Sequence, residues 1–253
     1  MGLGGKVVLV VGVGGGLGAA LVALLGADGA KVVAVARHPS ILDPLAAHAR
    51  LRGWNVTTQV ADVDVQADVD RLVADVIRQH GTLDAVSINV GHWHGGESLL
   101  HRMTDEEWNA AVRGNLDPPF RVARASIPAL IQHGGGSLVF VGAAPPVRWA
   151  GSAGYTAGKG GLADLVPRLA RDYRANGLRI NAVLPGSMTN HAVGLDPPDA
   201  ATPIPLANAP PGSPWAVARG IRYLLSDESA WVTGALLTVD GGLSTGGSEA
   251  PGR

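Results

Sequence analysis

Residues 7–27 read VVLVVGVGGGLGAALVALLGA: an apolar run, a glycine-rich turn, and a run rich in alanine and leucine. The apolar run does not alternate with polar residues, which is typical of a strand covered on both faces of a sheet. The run after the turn predicts a helix. A glycine-rich turn between a strand and a helix favours binding of a pyrophosphate at the helix N-terminus, where free N–H groups attract anions.

Two glycine patterns fit this turn. Gly14 to Ala19 reads G-x-G-x-x-A, and Gly12 to Gly18 reads G-x-x-x-G-x-G. Either pattern lets a pyrophosphate approach the backbone closely. A turn without any ligand is the alternative, because glycine is used freely elsewhere in this chain.

The same alternation of short valine-rich runs and helical stretches continues along most of the chain. It predicts an α/β fold with a parallel sheet of about seven strands. The predicted strands are Val7–Gly12, Lys31–Ala36, Asn55–Val60, Leu83–Asn89, Ser137–Gly142, Arg179–Leu184 and Ala235–Val239.

Length and composition narrow the possible functions. A chain of 253 residues with no composition break predicts one domain, here residues 1–243, followed by a flexible tail at 244–253. The segment 187–212 is rich in proline and alanine without periodicity, which is typical of a lid or binding loop. Twenty Lys and Arg against 21 Asp and Glu give a net charge of −1, so no nucleic-acid partner is expected.

Neither a disulfide framework nor a membrane segment is predicted. The sequence has no cysteine, which excludes disulfides and cysteine-based zinc sites but leaves the redox compartment open. No apolar run approaches the roughly 18 residues that span a bilayer, and the first residues do not resemble a signal peptide. The expectation is a cytoplasmic protein without a membrane partner.

Helix boundaries follow from capping residues. Asp43-Pro44 and Ser213-Pro214 each predict an N-cap followed by proline at the first helical position, and Thr104 with Glu107 predicts a capping box. The sequence Asp117-Pro118-Pro119 predicts that one helix is interrupted and a new one begins. Asn115 is therefore expected near a helix break, where freed carbonyls can bind water.

Four motifs together resemble the short-chain dehydrogenase/reductase family along nearly the whole chain. They are Ile88-Asn89-Val90-Gly91, Tyr155-Thr156-Ala157-Gly158-Lys159, Asn181-Ala182-Val183-Leu184-Pro185-Gly186, and Val232-Thr233-Gly234 through Val239-Asp240-Gly241-Gly242. The glycine pattern from Gly12 to Gly18 is the one this family uses. The resemblance implies a doubly wound Rossmann-type sheet, one nicotinamide dinucleotide per chain, and a homo-oligomer, typically a tetramer, with a dimer as the alternative.

Three residues match the catalytic positions that the resemblance implies. Tyr155 exchanges a proton with the substrate oxygen, Lys159 supports it and contacts the nicotinamide ribose, and Asn115 holds a proton-relay water. Tyr155 and Lys159 are four residues apart, hence on one helical face, where the cation is expected to lower the pKa of the phenol. An ordinary surface pair, and for Asn115 a plain helix-ending residue, are the alternatives.

The serine that this family uses to orient the substrate is missing. Its position falls on Ala143, or on Gly142 if the loop before Tyr155 carries no deletion, and neither residue has a hydroxyl. Ser152 is expected to begin the helix of Tyr155 and is a doubtful substitute. Loss of such a donor lowers turnover by roughly 10²–10³-fold.

The end of the second predicted strand bears on cofactor choice. An NAD-preferring member places an acid where Ala36 stands, whereas here Arg37 follows and suits a 2′-phosphate. The expectation is NADP(H), with NAD(H) as the alternative and a solvated arginine as the alternative for Arg37. The remaining cofactor contacts implied by the resemblance are Gly12, Gly16, Leu17, Gly18, Asp62, Val63, Asn89, Gly91, Tyr155, Lys159, Pro185, Gly186 and Met188.

Two histidines, His92 and His94, follow the turn at Gly91. A His-x-His pair can bind a metal, but only Glu97 stands near it, so no metal site is expected. Trp93 and Trp149 can supply an apolar wall for a small-molecule substrate.

The sequence therefore favours an oxidoreductase that transfers a hydride between NADP(H) and a carbonyl or secondary alcohol, weakened by the missing serine. Two alternatives stay open. One is a protein that binds the cofactor in a regulatory or structural role without efficient turnover. The other is non-redox chemistry on the same scaffold.

Overall fold

The structure is a computed structural model that describes residues 2–95, 99–189, 192–199, 204 and 211–245. Its centre is one seven-stranded sheet in the order β3-β2-β1-β4-β5-β6-β7, in which every neighbouring pair is parallel. The strands are β1 Val7–Val11, β2 Lys31–Ala36, β3 Val56–Val60, β4 Ala85–Ile88, β5 Gly136–Val141, β6 Leu178–Pro185 and β7 Leu236–Val239. All seven predicted strands are confirmed, with ends that differ by one or two residues.

Helices cover both faces of the sheet, as the doubly wound fold requires. They are α1 Leu17–Ala27, α2 Pro39–Arg52, α3 Gln66–His80, α4 Asp105–Gln132, α5 Pro145–Ala150, α6 Ala153–Tyr173 and α7 Pro214–Leu225. One core layer joins the sheet to α3, α4 and α6, and the other joins it to α1, α2 and α7. The predicted single-domain α/β fold is confirmed.

The strand order places a crevice at one edge of the sheet. β1 lies between β2 and β4. After β1 the chain adds β2 and β3 on one side of it, and then crosses back to add β4 on the other side. In open parallel sheets, ligands bind outside the carboxyl ends of the strands at this reversal. The turn after β1, the end of β2 and the loop after β4 all meet there.

Two capping predictions are confirmed and one is wrong. Ser213 caps α7, and Thr104 with Glu107 forms a capping box at the start of α4. The prediction that Asp43-Pro44 begins a helix is wrong, because α2 begins at Pro39 and contains Pro44 in its interior. Pro44 cannot donate to the carbonyl of Ser40, but Ser40 is exposed and water can replace that donor.

The predicted break at Asp117-Pro118-Pro119 is also wrong, because α4 runs without interruption from Asp105 to Gln132. Pro118 and Pro119 lie on its buried side, so packing against the sheet and α6 outweighs the two lost hydrogen bonds. The helix keeps its course, but the carbonyls of Gly114 and Asn115 receive no N–H from these two prolines.

Most of the predicted tail, residues 246–253, lies outside the described residues. Leu243–Thr245 forms a short 3₁₀ turn. None of the helices in the described ranges is long and apolar enough to cross a bilayer.

Candidate active site

The cleft at the reversal of strand order is built from backbone that only glycine permits. Gly12 has φ of +86°, and a Cβ there would lie 2.8 Å from the carbonyl carbon of Asn89. A Cβ on Gly18 would lie 2.6 Å from Cα of Val13, so α1 starts pressed against the end of β1. Gly16 is the N-cap of α1, and Leu17 is its first residue. These contacts keep the first turn of α1 directed at the cleft.

The residues lining this cleft fit a dinucleotide. Gly14 has nothing within 4 Å of the position a Cβ would take, so its backbone is open to a ligand. The side-chain nitrogen of Asn89 is buried without an acceptor, while its oxygen accepts a hydrogen bond from Ser87 at 2.8 Å. A buried donor without a partner at a cleft indicates a polar ligand.

Arg37 lies on the cleft wall at the end of β2. It is exposed and forms no ion pair within the described part of the chain, while the neighbouring Ala36 is buried. Val63 lines the same wall. Asp62 does not line the cleft, and its carboxylate accepts a hydrogen bond from the backbone N–H of Asp64 at 3.0 Å. Asp64 itself lines the cleft, and no pattern in the sequence distinguished it from Asp62.

Lys159 extends from α6 into the end of the sheet. Its ammonium group donates to the carbonyl oxygens of Val90 at 3.4 Å and Val141 at 3.2 Å, which follow β4 and end β5. The side chain is buried, and burial lowers the pKa of Lys159 to about 8. Lys159 is therefore able to release its proton under mildly basic conditions.

The Tyr155 ring is clamped between two loops. Its centroid lies 4.9 Å from the Trp93 ring in an edge-to-face arrangement, and a Cβ on Gly151 would lie 2.5 Å from its Cδ1. The sequence predicted a lowered phenol pKa, but burial raises the pKa of Tyr155 to about 12. The charge of Arg148 opposes this shift without reversing it. The prediction is wrong because burial of the phenol disfavours the charged phenolate.

Asn115 fixes the loop that follows β4. Its side-chain oxygen accepts from the His92 N–H at 3.1 Å, and its nitrogen donates to the carbonyls of His92 and Ala111, both at 2.9 Å. A Cβ on Gly91 would lie 2.5 Å from the Lys159 nitrogen and 2.7 Å from the Asn115 oxygen. Asn115, Lys159 and Gly91 therefore meet at one point, and Tyr155 lies one turn before Lys159 in α6.

Neither of the two positions considered for the missing serine carries a hydroxyl group. Gly142 and Ala143 are both buried, and a Cβ on Gly142 would lie 2.5 Å from a methyl group of Leu184. A side chain therefore fits better at position 143 than at position 142. Ser152 is the N-cap of α6, as expected, and its hydroxyl accepts from the Tyr155 N–H at 3.1 Å.

The loop carrying His92, Trp93 and His94 is tied to the loop before α6. Gly95 pairs with Gly151 in an antiparallel bridge, and Ser152 donates its N–H to the carbonyl of His94 at 3.0 Å. Glu97 lies outside the described residues, and the described ranges contain no group of three metal-ligating side chains. The pairing of these two loops is what brings Trp93 to Tyr155, and no sequence pattern indicated it.

The described parts of the loop at 187–212 lie across the glycine-rich turn. Met188 forms a bridge with Gly212, and Val193 donates its N–H to the carbonyl of Gly15 at 3.0 Å. A Cβ on Gly186 would lie 2.7 Å from Cβ of Asp240, so the chain after β6 packs closely against the residue that follows β7. The assignment of 187–212 as a lid or binding loop stays a prediction.

Comparisons with known proteins place the chain among dehydrogenases. Residues 6–196 match the family model described as short chain dehydrogenase. The chain is 32% identical over 248 residues to the 3-oxoacyl-(acyl-carrier-protein) reductase of Thermotoga maritima, covering 96% of this chain and 99% of that protein. It is 31% identical over 252 residues to the 2,5-dichloro-2,5-cyclohexadiene-1,4-diol dehydrogenase of Sphingobium indicum, covering 96% and 98%.

Solved structures agree with this placement. A 3-ketoacyl-ACP reductase from Sinorhizobium meliloti superposes with a TM-score of 0.83 at 30% identity, covering 95% of this chain and 99% of that one. A short-chain dehydrogenase/reductase from Burkholderia xenovorans, titled putative, also gives 0.83, at 31% identity and 97% and 99% coverage. The matches span nearly the full length of every protein compared.

Proposed function

This chain belongs to the short-chain dehydrogenase family, and on that premise we propose that it is an NADP(H)-preferring oxidoreductase acting on a carbonyl or secondary alcohol. The observation that supports the proposal best is the meeting of Asn115, Lys159 and Gly91 at the cleft, with Tyr155 one turn before Lys159 in α6. A protein released from catalysis has no need to keep these groups together in the interior.

The proposed reduction consumes a carbonyl compound, a hydride and a proton. A bound nicotinamide dinucleotide supplies the hydride to the carbonyl carbon and leaves oxidised. The Tyr155 hydroxyl gives its proton to the carbonyl oxygen, so that the carbon–oxygen double bond becomes an alcohol, and the phenolate regains a proton from solvent. Oxidation of an alcohol is the same sequence reversed.

Lys159 and Asn115 support this proton transfer in different ways. Lys159, with its pKa lowered to about 8 by burial, stands four residues along α6 from Tyr155 and can return a proton toward the phenolate. Asn115 holds the backbone of His92 and so fixes the loop that borders the site. Pro118 and Pro119 leave carbonyls beside Asn115 able to bind a relay water.

The cofactor proposal uses the cleft residues predicted from the sequence. Gly12, Gly16, Leu17 and Gly18 would hold the pyrophosphate, and Arg37 would pair with a 2′-phosphate. The other residues proposed to contact the cofactor are Asp62, Val63, Asn89, Gly91, Tyr155, Lys159, Pro185, Gly186 and Met188. The support for NADP(H) over NAD(H) is the cation at Arg37, which forms no ion pair with the residues that the structure describes, together with the absence of an acid at position 36.

We also propose that turnover is slow and that the working unit is a homo-oligomer. Without a hydroxyl at position 143 or 142, one donor to the reacting oxygen is absent. Gly154 and Gly158 let α6 approach α4 closely within the chain. The surface of α6 around Gly160 and Gly161 is more open. Light scattering at micromolar concentration tests the assembly, and a strict monomer would contradict it.

A second candidate function is cofactor binding without efficient turnover, favoured by the same missing hydroxyl. The two are distinguished by NADPH consumption with a panel of ketones, aldehydes and 3-oxo thioesters, measured for wild type, Ala143→Ser and Tyr155→Phe. The proposed function predicts weak activity in wild type, a gain of up to roughly 10²-fold in Ala143→Ser, and loss in Tyr155→Phe. Tyr223→Phe, on the distant helix α7, is the matched control.

Cofactor binding without any turnover in wild type and Ala143→Ser would favour the second candidate. Turnover unchanged by Tyr155→Phe would instead show that the proton comes from another group.

A further inference from the structure

An exposed indole lies directly against the proposed proton donor. The rings of Trp93 and Tyr155 are 4.9 Å apart between centroids at an interplanar angle of 66°. Trp93 is 57% exposed, although it packs on a tyrosine that is only 6% exposed. A large open apolar face beside a buried reactive group indicates contact with a ligand.

Trp93 is anchored on both sides along the chain. Before it, Asn115 binds both the N–H and the carbonyl of His92. After it, the carbonyl of His94 accepts from Ser152, and Gly95 pairs with Gly151. The backbone that carries the indole is therefore fixed before any ligand arrives, which lowers the entropy lost on binding.

The proposed chemistry determines what Trp93 can touch. A carbonyl oxygen must lie at the Tyr155 hydroxyl to receive its proton. A group bonded to the carbonyl carbon then lies within a few ångströms of the Tyr155 ring, against which Trp93 packs. Aromatic rings attract each other at centroid distances of about 4.5–7 Å in offset or edge-to-face arrangements. A flat ring bonded to the carbonyl carbon can adopt such an arrangement with the indole, whereas a flexible chain loses rotamer freedom there.

Resting on the proposed function, we propose that Trp93 is a specificity-determining residue that selects carbonyl compounds whose reacting carbon is bonded to an aromatic ring. The indole forms one wall of the substrate site. A substrate binds more tightly when the group on its reacting carbon is flat and presents an aromatic face to this wall. Flexible 3-oxoacyl chains, the kind of substrate named for several relatives, gain less from this wall.

The test compares acetophenone with cyclohexyl methyl ketone, two methyl ketones with the same carbon skeleton in which the six-membered ring is either planar and aromatic or puckered and saturated. Steady-state kinetics with saturating NADPH give kcat/KM for each ketone, and ligand-observed NMR with NADP⁺ gives binding without requiring turnover. The two ketones differ in intrinsic reactivity. The quantity compared between variants is therefore the ratio of kcat/KM for acetophenone to kcat/KM for cyclohexyl methyl ketone. Trp93→Leu should lower the acetophenone preference by about tenfold through KM, whereas Trp93→Phe should keep most of it.

Trp231→Leu is the matched control, because Trp231 is fully exposed and precedes β7 at the opposite end of the sheet. It should leave the ratio unchanged.

An active Trp93→Leu protein with the wild-type ratio in both kinetics and binding overturns the proposal and leaves the reductase function standing. Trp93-dependent binding selectivity without turnover supports the proposal and overturns the reductase function. Failure of acetophenone to bind overturns the proposal.

Discussion

Lys159 shows at the scale of one residue how function conflicts with stability in this protein. Its ammonium group is buried, and no carboxylate pairs with it in the described part of the chain. Two backbone carbonyls replace only part of its hydration, which is why its pKa falls to about 8. A group kept at such a cost indicates a functional site.

Replacing Lys159 should stabilise the fold while abolishing activity. A fall in pKa from 10.5 to about 8 corresponds to roughly 3 kcal/mol of unfavourable free energy at pH 7, which Lys159→Met removes. Between pH 8 and 10.5 the folded state releases this proton and the unfolded state keeps it, so wild-type stability rises with pH. Urea unfolding should therefore show the variant more stable at pH 7, with the difference shrinking by pH 10.

Lys6→Met is the control for this experiment, because Lys6 forms an exposed ion pair with Asp227 at 2.6 Å. Its effect should stay within about 1 kcal/mol and show no change between pH 8 and 10. A Lys159→Met protein less stable than wild type at pH 7 would show that burial of this charge is compensated.

Arg37 carries the prediction on cofactor choice. Arg37→Ala should weaken NADPH binding by about tenfold or more and leave NADH binding nearly unchanged, because the proposed contact of the guanidinium is with the 2′-phosphate, which NADH lacks. Calorimetric titration of both cofactors measures it. Arg52→Ala, a change at another exposed arginine, on α2, is the control. Equal affinity of wild type for NADH and NADPH would contradict the NADP(H) assignment.

Among the helices and strands, the C-terminal end of α7 is hydrogen-bonded by one arginine from β6, Arg179. Arg179 donates to the carbonyls of Leu224 at 2.8 Å and Ser226 at 3.0 Å, and to the Ser229 hydroxyl at 2.7 Å. The last carbonyls of a helix have no partners within it, and a cation there also opposes the negative end of the helix dipole. Arg179 thus joins α7 to the sheet.

Arg179→Met should lower the free energy of unfolding by about 2–3 kcal/mol, since several charge-assisted hydrogen bonds are lost at once. Urea denaturation measures the change. Arg168→Met removes an exposed ion pair with Asp172 within α6 and should cost no more than about 0.5 kcal/mol. Similar losses in the two variants would show that the bonds from Arg179 contribute little.

The elements also show which features the sequence could predict. Uninterrupted runs such as Val7–Val11 identified the strands because a strand buried on both faces tolerates few polar residues. The course of α4 could not be predicted, because the local cost of Pro118 and Pro119 is visible in the sequence and the packing that outweighs it is not. Likewise, the raised pKa of Tyr155 depends on Trp93 and Gly151, which only the folded loops bring together.

At the scale of the whole molecule, the fold brings four chain segments to one edge of the sheet. The glycine-rich turn, the end of β2, the segment after β3 and the loop after β4 are far apart in sequence and meet at the cleft. The segment around Val193 then lies across the glycine-rich turn. The buried ammonium group of Lys159 lies next to this cleft, because it donates to the carbonyl of Val90 in the cleft wall.

Transfer of deuterium from NADPH labelled at the hydride-donating C4 position to the product alcohol tests the proposed function most directly. Mass spectrometry of the alcohol formed from an accepted ketone should show one deuterium per molecule with wild type. Ala143→Ser should form the same labelled alcohol faster, and Tyr155→Phe should form none. Alcohol formed without deuterium, or labelled alcohol formed equally well by Tyr155→Phe, would contradict hydride transfer assisted by Tyr155.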